Sequence, residues 1–256
     1  MAVNGNSEEF HKWMKEFYED KPRSVGKDNY EYYRWFSSER RKMQYKFSFQ
    51  SLVFHLKDIK IKNFLEIGCG PGTWTKVLIK KYPNAKIDCV ELSQQMINQF
   101  KKNVKDGKRV KTKIKSFLDF DTDKKYDFIF SSRAIEYIPN KDKVIEKIWK
   151  FMEPGGKGMI ITSPPHPFVL SIKKLLGKKI DKEHIDRISV TKMRELLEKE
   201  GFQNIEMYPI LFTDTLPAFL RKMLWKNLYR KKFGLLSKMF ASGYLVKFGK
   251  PERRKE

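Results

Sequence analysis

The chain has 256 residues, with 54 Lys and Arg against 31 Asp and Glu, a formal net charge of +23. With 40% apolar and 14% aromatic residues it can bury a sizeable core, which excludes intrinsic disorder. Only two cysteines, Cys69 and Cys89, exclude a disulfide scaffold, and no stretch approaches the roughly 18 apolar residues of a membrane span.

In chain order, the first sixty residues read as helical and the rest as alternating strand and helix. Ser7 is placed to cap a helix running to about Asp20. That N-terminal segment mixes acids and bases and lacks the apolar run of a secretion signal, so the expected location is cytoplasmic. A Pro-Arg-Ser-Val-Gly break follows, and Asn29 to Leu56 is rich in aromatics, among them Tyr30, Tyr33, Trp35, Tyr45 and Phe47. Strands are predicted at Phe64–Ile67, Lys86–Val90, Val110–Lys115, Tyr126–Phe130 and Gly158–Thr162. Helices are predicted between them at Trp74–Lys81, Gln94–Val104 and Lys141–Met152, with a further one at Val190–Lys199 closed by Gly201. Asn204–Phe212 and Gly243–Phe248 read as two last strands, separated by a basic, apolar helical stretch at Leu216–Phe240. Strand–helix alternation of this kind implies an α/β fold whose mostly parallel sheet carries helices on both faces. The expected organisation is an N-terminal helical cap over residues 1–60 and one α/β domain over 61–256, with the basic insert at about 216–241.

The first strand runs into Phe64-Leu-Glu-Ile-Gly-Cys-Gly-Pro-Gly-Thr-Trp-Thr75, which opens a helix. Glycines there permit a tight turn and close approach of backbone to a ligand at a helix N-terminus. The spacing departs from a dinucleotide fingerprint, because Thr73 stands where a small third residue is needed. Glu66, two residues before Gly68, is a poor neighbour for a pyrophosphate and a good one for an ammonium or sulfonium. Glu91 ends the second strand 23 residues beyond Gly68, where a carboxylate can accept hydrogen bonds from both hydroxyls of a ribose. Together these residues describe a site for a nucleoside that lacks phosphates and carries positive charge.

Over about Lys62 to Phe202 the chain resembles the class I S-adenosylmethionine-dependent methyltransferases of small-molecule type. The resemblance rests on Leu65-Glu-Ile-Gly-Cys-Gly-Pro-Gly72, on Glu91, on Tyr126-Asp-Phe-Ile-Phe130 and on Met152-Glu-Pro-Gly-Gly156. It implies a Rossmann-like, seven-stranded sheet with an antiparallel last strand, and S-adenosylmethionine lying across the C-terminal edge of the first strands. By the same resemblance Gly68, Gly70 and Gly72 flank the methionine part of the cofactor and Glu91 holds the ribose, with Glu66, Cys69 and Leu92 also expected in the cofactor site. Many members carry an acid after the third strand to bind the adenine amino group. Here Ser116 stands there, leaving its hydroxyl and the Phe117 backbone to read the base. Ser132 and Arg133, after the fourth strand, fall beside the cofactor.

The catalytic candidates are fewer. Glu136 and Tyr137 face the acceptor if the segment follows the family pattern, and they pack as helix-start residues if it does not. His166, just past the fifth strand, and His184, before the next helix, are placed near strand C-termini, where an imidazole can take a proton from an attacking hydroxyl. Methyl transfer also proceeds by alignment of the reactants alone. No Cys and His spacing suits a metal.

Three functions compete. The leading one is methyl transfer to a small or lipid-like acceptor. An RNA methyltransferase would suit the charge but lacks a separate RNA-binding module. The third reading, a non-catalytic cofactor-binding or scaffold protein, is disfavoured by the intact glycine loop and both acids. The basic insert adds an expectation of its own. From residue 215 to 251 there is no acid, while Arg221, Lys222, Lys226, Arg230, Lys231, Lys232, Lys238, Lys247 and Lys250 are all cationic. Its apolar face suits a cap over the acceptor pocket, and its charge suits peripheral docking on an anionic membrane.

Overall fold

The computed structural model describes residues 30–165, 187–214 and 216–252. The predicted helix after Ser7, and His166 and His184, lie outside the described residues.

Helices α1 (Tyr30–Trp35) and α2 (Glu39–His55) come first, the latter capped by Ser38, whose hydroxyl accepts from the Arg41 amide. The aromatic N-terminal stretch is therefore two helices, broken where Ser38 adopts extended backbone. Then follow β1 (Asn63–Ile67), α3 (Thr73–Lys81), β2 (Lys86–Glu91), α4 (Gln94–Asn103), β3 (Val110–Ile114) and β4 (Tyr126–Ser132). The chain continues through a short 3-10 turn at Ile135–Tyr137, α5 (Lys141–Phe151), β5 (Met152–Thr162) and α6 (Val190–Glu200). It ends with β6 (Gln203–Phe212), α7 (Ala218–Leu228), α8 (Leu235–Phe240) and β7 (Ala241–Gly249). The basic helical stretch predicted at Leu216–Phe240 is two helices, α8 being opened by Gly234 in extended backbone. The fifth strand is longer than its sequence pattern, since Met152 already pairs with Tyr126 across an irregular stretch that contains the Glu-Pro-Gly-Gly turn residues.

The seven strands form one sheet in the order β3-β2-β1-β4-β5-β7-β6. Strands β1 to β5 are parallel, and β7 runs antiparallel to both β5 and β6. The expected Rossmann-like, mostly parallel architecture with an antiparallel last strand is thus the observed one. The central strands are apolar on both faces because helices cover both. On one side Phe64, Phe128 and Phe130 meet α2, α3, α4 and α7. On the other Leu65, Ile67 and Ile129 meet α5 and α6. Each fully buried aromatic side chain contributes about 2–3 kcal/mol of transfer free energy before ordering costs.

The N-terminal helices share that core. Trp35 and Tyr45 pack on Trp74 of α3 with ring centroids 5.5 and 5.6 Å apart. Phe47 of α2 stacks on Trp225 of α7 at 4.5 Å, and the Trp225 indole donates to the buried Ser51 hydroxyl. His55 closes the same layer with its ring against Tyr208 and Nε2 3.0 Å from the Tyr229 carbonyl oxygen.

Strand order reverses between β1 and β4. Chain segments leaving their C-terminal ends run in opposite directions, which opens a crevice there.

One strand position sets a sharp packing limit. Gly158 of β5 pairs with Phe248 of β7, and a Cβ at Gly158 would overlap the Phe248 ring, itself packed on Phe202 at 4.8 Å. Gly158→Val is expected to cost about 1–3 kcal/mol, read as a lowered urea midpoint with an unchanged slope. An unchanged midpoint would mean that the β5–β7 pairing is looser than its geometry implies.

Candidate functional site

The crevice holds a cavity of about 340 Å³, within the range of roughly 300–1,000 Å³ typical of small-molecule sites. Its floor is the loop after β1. Gly68, Gly70 and Gly72 all have left-handed φ, of 69°, 53° and 85°. They serve different ends. A side chain at Gly68 would collide with Ala134, and one at Gly72 with Val104 and Phe100, so these two glycines allow close packing behind the loop. A side chain at Gly70 would meet no atom of the described residues within 4 Å and would stand in the cavity.

Glu91 stands at the end of β2, beside that loop. One carboxylate oxygen accepts from the Gly70 amide at 2.9 Å, and the other from the amides of Leu92 at 2.9 Å and Ser93 at 3.0 Å. Ser93 in turn caps α4, accepting from the Met96 amide. The acid therefore ties the glycine loop to the start of α4 while remaining in the cavity wall. Ser116 and Phe117 line the next part of the wall, after β3. The Ser116 hydroxyl accepts from the Leu118 amide, which makes a tight turn of the segment.

The structure brings together in one cavity lining Gly68, Cys69, Gly70, Glu91, Leu92, Ser116, Phe117, Ser132 and Arg133. Glu66 and Gly72 fall outside it. The Glu66 side chain points from β1 to the sheet face under α3, where it accepts from the Thr75 hydroxyl at 2.6 Å, near Cys89. Burial, with the nearby Glu91 charge adding to it, pushes the Glu66 carboxyl up to about 8 against the hydrogen bond from Thr75. It is thus mostly protonated at neutral pH and cannot offer a ligand the negative charge read from its sequence position.

Glu136 is also buried rather than presented to a substrate. It accepts from the Thr162 hydroxyl at 2.6 Å and the Ser163 amide at 3.0 Å, and it pairs with Arg133 at 2.9 Å. Burial alone would push its carboxyl up. Arg133, the Thr162 hydroxyl, Arg187 and the Ser163 amide outweigh burial and hold it below the usual carboxylate range. The pair has a structural consequence. Arg133 has a left-handed φ of 59°, a conformation that costs a non-glycine residue about 1–2 kcal/mol, and its guanidinium is anchored on Glu136 and the Ser163 hydroxyl.

The sequence suggested a helical cap over residues 1–60 but singled out none of the roof's cavity-lining side chains. Tyr30, Tyr33, Arg34 and Trp35 of α1, and Arg40, Arg41 and Gln44 of α2, line the cavity over the glycine loop, with Trp74 beneath them. The aromatic richness of Asn29 to Leu56 was the available signal. Arg34 and Arg41 lie on the rings of Trp35 and Tyr33, at 4.2 and 4.1 Å. Arg40 pairs with Asp214 at 3.1 Å. With Arg133 and Arg187 they make, among the described residues, five guanidinium groups in a wall whose carboxylate is Glu91.

The wall also holds two buried hydroxyls, Thr73 Oγ1 and Ser132 Oγ, that have no hydrogen-bond partner among the described residues. Buried polar groups are nearly always satisfied, so these await a ligand or water. Orphan hydroxyls, an open face at Gly70 and an acid at the end of β2 fit a nucleoside with a polar amino-acid tail. Among the described residues no group of His, Cys, Asp and Glu is arranged to hold a metal ion.

Residues 64–156 match the model of a methyltransferase domain. The malonyl-[acyl-carrier protein] O-methyltransferase 2 of Ilyobacter polytropus is 32% identical over 97 residues, 38% of this chain and 38% of that protein. The demethylmenaquinone methyltransferase of Lactobacillus johnsonii is 26% identical over 178 residues, 58% of this chain and 72% of that protein. The chain spans 38% and 35% of the lengths of two malonyl-[acyl-carrier protein] O-methyltransferases that it matches. Among solved structures, magnesium protoporphyrin IX methyltransferase from Synechocystis, with bound SAH, superposes with a TM-score of 0.66 at 12% identity. That alignment covers 94% of this chain and 99% of the other, and it speaks for the fold alone.

Glu66 gives a pH prediction. A carboxyl whose folded value is raised keeps a proton that the unfolded chain releases, so stability falls as pH climbs from about 4.5 towards about 8. His55, held down to about 4 chiefly by burial, has the opposite effect between about 4 and 6.5, so the clean window lies above 6.5. Between pH 6.5 and 8 the urea midpoint of the parent should fall more steeply than that of Glu66→Gln, and the variant should be the more stable at pH 8. Parallel profiles would contradict the buried, protonated state of Glu66.

Proposed function

The chain carries a methyltransferase domain of the class I, S-adenosylmethionine-dependent family, and from that premise we propose that it transfers the methyl group of S-adenosylmethionine to a small-molecule acceptor. The observation that carries the proposal is the convergence of Gly70, Glu91 and Ser132 on one cavity at the strand-order reversal. In this reading Glu91, with Leu92 beside it, takes the ribose hydroxyls, and Ser116 and Phe117 flank the adenine. The backbone at Gly68, Cys69 and Gly70 runs along the methionine part. Ser132 and Arg133 meet it from β4.

Bound S-adenosylmethionine supplies a methyl group already activated on sulfur. The chain's share is to hold the acceptor in line with it and exclude water, which is worth several orders of magnitude in effective concentration. Glu136 serves by fixing Arg133 rather than by moving a proton. His184 and His166 stand as the proposed bases for an acceptor whose nucleophile must lose one.

The wall opposite the glycine loop favours an acidic acceptor. The cofactor's own carboxylate can use one of Arg34, Arg40, Arg41, Arg133 and Arg187, while Glu136 offsets Arg133 and Asp214 offsets Arg40. The arginine side chains of this wall suit a carboxylate or phosphate on a water-borne or lipid-like acceptor. RNA is the second reading, favoured by the net charge of +23.

Two measurements test this together. Calorimetry with S-adenosylmethionine should find Glu91→Ala weakened by about 1–3 kcal/mol, because hydrogen bonds to a charged acceptor are lost, and Gly70→Val weakened further. Incubation of the parent with methyl-labelled cofactor and cell fractions should put label into acidic small molecules or lipids. Unchanged affinity in both variants would reject the site, and label confined to RNA would reject the acceptor.

A further inference from the structure

Helices α7 and α8 carry most of the large exposed apolar side chains of the described residues. Eight large apolar side chains are exposed among the described residues, and five of them belong to these two short helices. Phe219, Met223, Leu235, Leu236 and Met239 are each between 50% and 75% exposed. The helices are not short of inward contacts. Trp225 and Tyr229 face the core, and Leu224, Leu228 and Phe240 pack against it. α7 is therefore apolar on two sides, one covered and one bare.

The bare side is patterned. Phe219, Lys222, Met223 and Lys226 fall at i, i+3, i+4 and i+7, on one stripe of α7. Leu235, Leu236, Lys238 and Met239 repeat the mixture on α8. Exposed cations alternate with exposed apolar groups, and the sequence from 216 to 251 offers no acid to neutralise them. No described helix is long and apolar enough to cross a membrane, so insertion would be shallow.

We propose that this surface docks on an anionic lipid bilayer, with the apolar side chains entering the acyl boundary and the lysines among the headgroups. Charge complementarity selects this occupant. A second copy of the chain meeting the surface face to face would oppose two acid-free lysine arrays at close range. A nucleic acid would pair with the lysines but leave Leu235, Leu236 and Met239 in water. Only a surface both anionic and apolar just beneath satisfies both sets of side chains.

The surface is connected to the cavity. Asp214 accepts from Arg221 of α7 and also pairs with Arg40, which lines the cavity roof. A docked α7 would therefore hold the cavity near the bilayer surface. The docking does not depend on methyl transfer, and its test is independent of the acceptor.

The test uses the full chain and sedimentation with vesicles of phosphatidylcholine, with and without phosphatidylglycerol. The parent should sediment with the anionic vesicles, stay in solution with neutral ones, and be released as salt is raised. Lys222→Glu with Lys226→Glu should weaken vesicle binding at least about tenfold. Phe219→Ser with Leu235→Ser should weaken it comparably, and since these side chains are exposed, melting and binding of S-adenosylhomocysteine should match the parent. Equal binding to neutral and anionic vesicles, or binding to neither, would overturn the proposal. So would loss of binding in the lysine variant alone, accompanied by lysine-dependent retention on RNA, which would mark a nucleic-acid surface.

Discussion

Three backbone amides converge on the Glu91 carboxylate, and much of the site's order depends on that convergence. The Gly70 amide belongs to the loop after β1, and the Leu92 and Ser93 amides to the turn after β2. One acid thus fastens two crossovers to each other at the edge where the sheet opens. Hydrogen bonds to a charged acceptor are roughly twice as strong as neutral ones, so this contact can hold a loop whose three glycines have high conformational entropy in the unfolded chain. The same carboxylate lines the cavity. A ligand that engages it reads a group whose orientation the fold has already fixed.

The carboxylates around the cavity divide their roles by environment. Glu91 is partly exposed and held by amides. Glu66 lies beneath the loop, protonated, as a buried hydrogen-bonding partner of α3. Glu136 is charged and buried, and it keeps Arg133 in a strained backbone conformation at the end of β4. Removing a partner from such a buried pair usually costs about 3–5 kcal/mol, because the remaining charge is left without compensation. Three acids that look alike in sequence therefore act as a cavity-facing group, a neutral core element and a positioning anchor.

Much of this fold was legible from its periodicities. Parallel strands buried on both faces read as short apolar runs, and Phe64–Ile67 and Tyr126–Phe130 were clear for that reason. Gly201 after α6 signalled a helix end through local chemistry alone. What could not be read depends on contacts distant in sequence. The direction of the Glu66 side chain follows from the α3 residue it meets, Thr75, and from the crowding around Cys89. The arginine-lined roof required α1 and α2 to fold back over the glycine loop, which they do through Trp35 and Tyr45 stacking on Trp74. Glycine roles also escaped the sequence. All three turn the chain, yet only the residues facing each one decide whether it serves packing or ligand access.

The most direct test of the account is a crystal structure grown with S-adenosylhomocysteine. It should place the ribose hydroxyls on Glu91, the adenine beside Ser116 and Phe117, and the homocysteine chain across Gly70 beneath the roof of α1 and α2. A ligand bound elsewhere, or one in the cavity that leaves Glu91 without a contact, would contradict it.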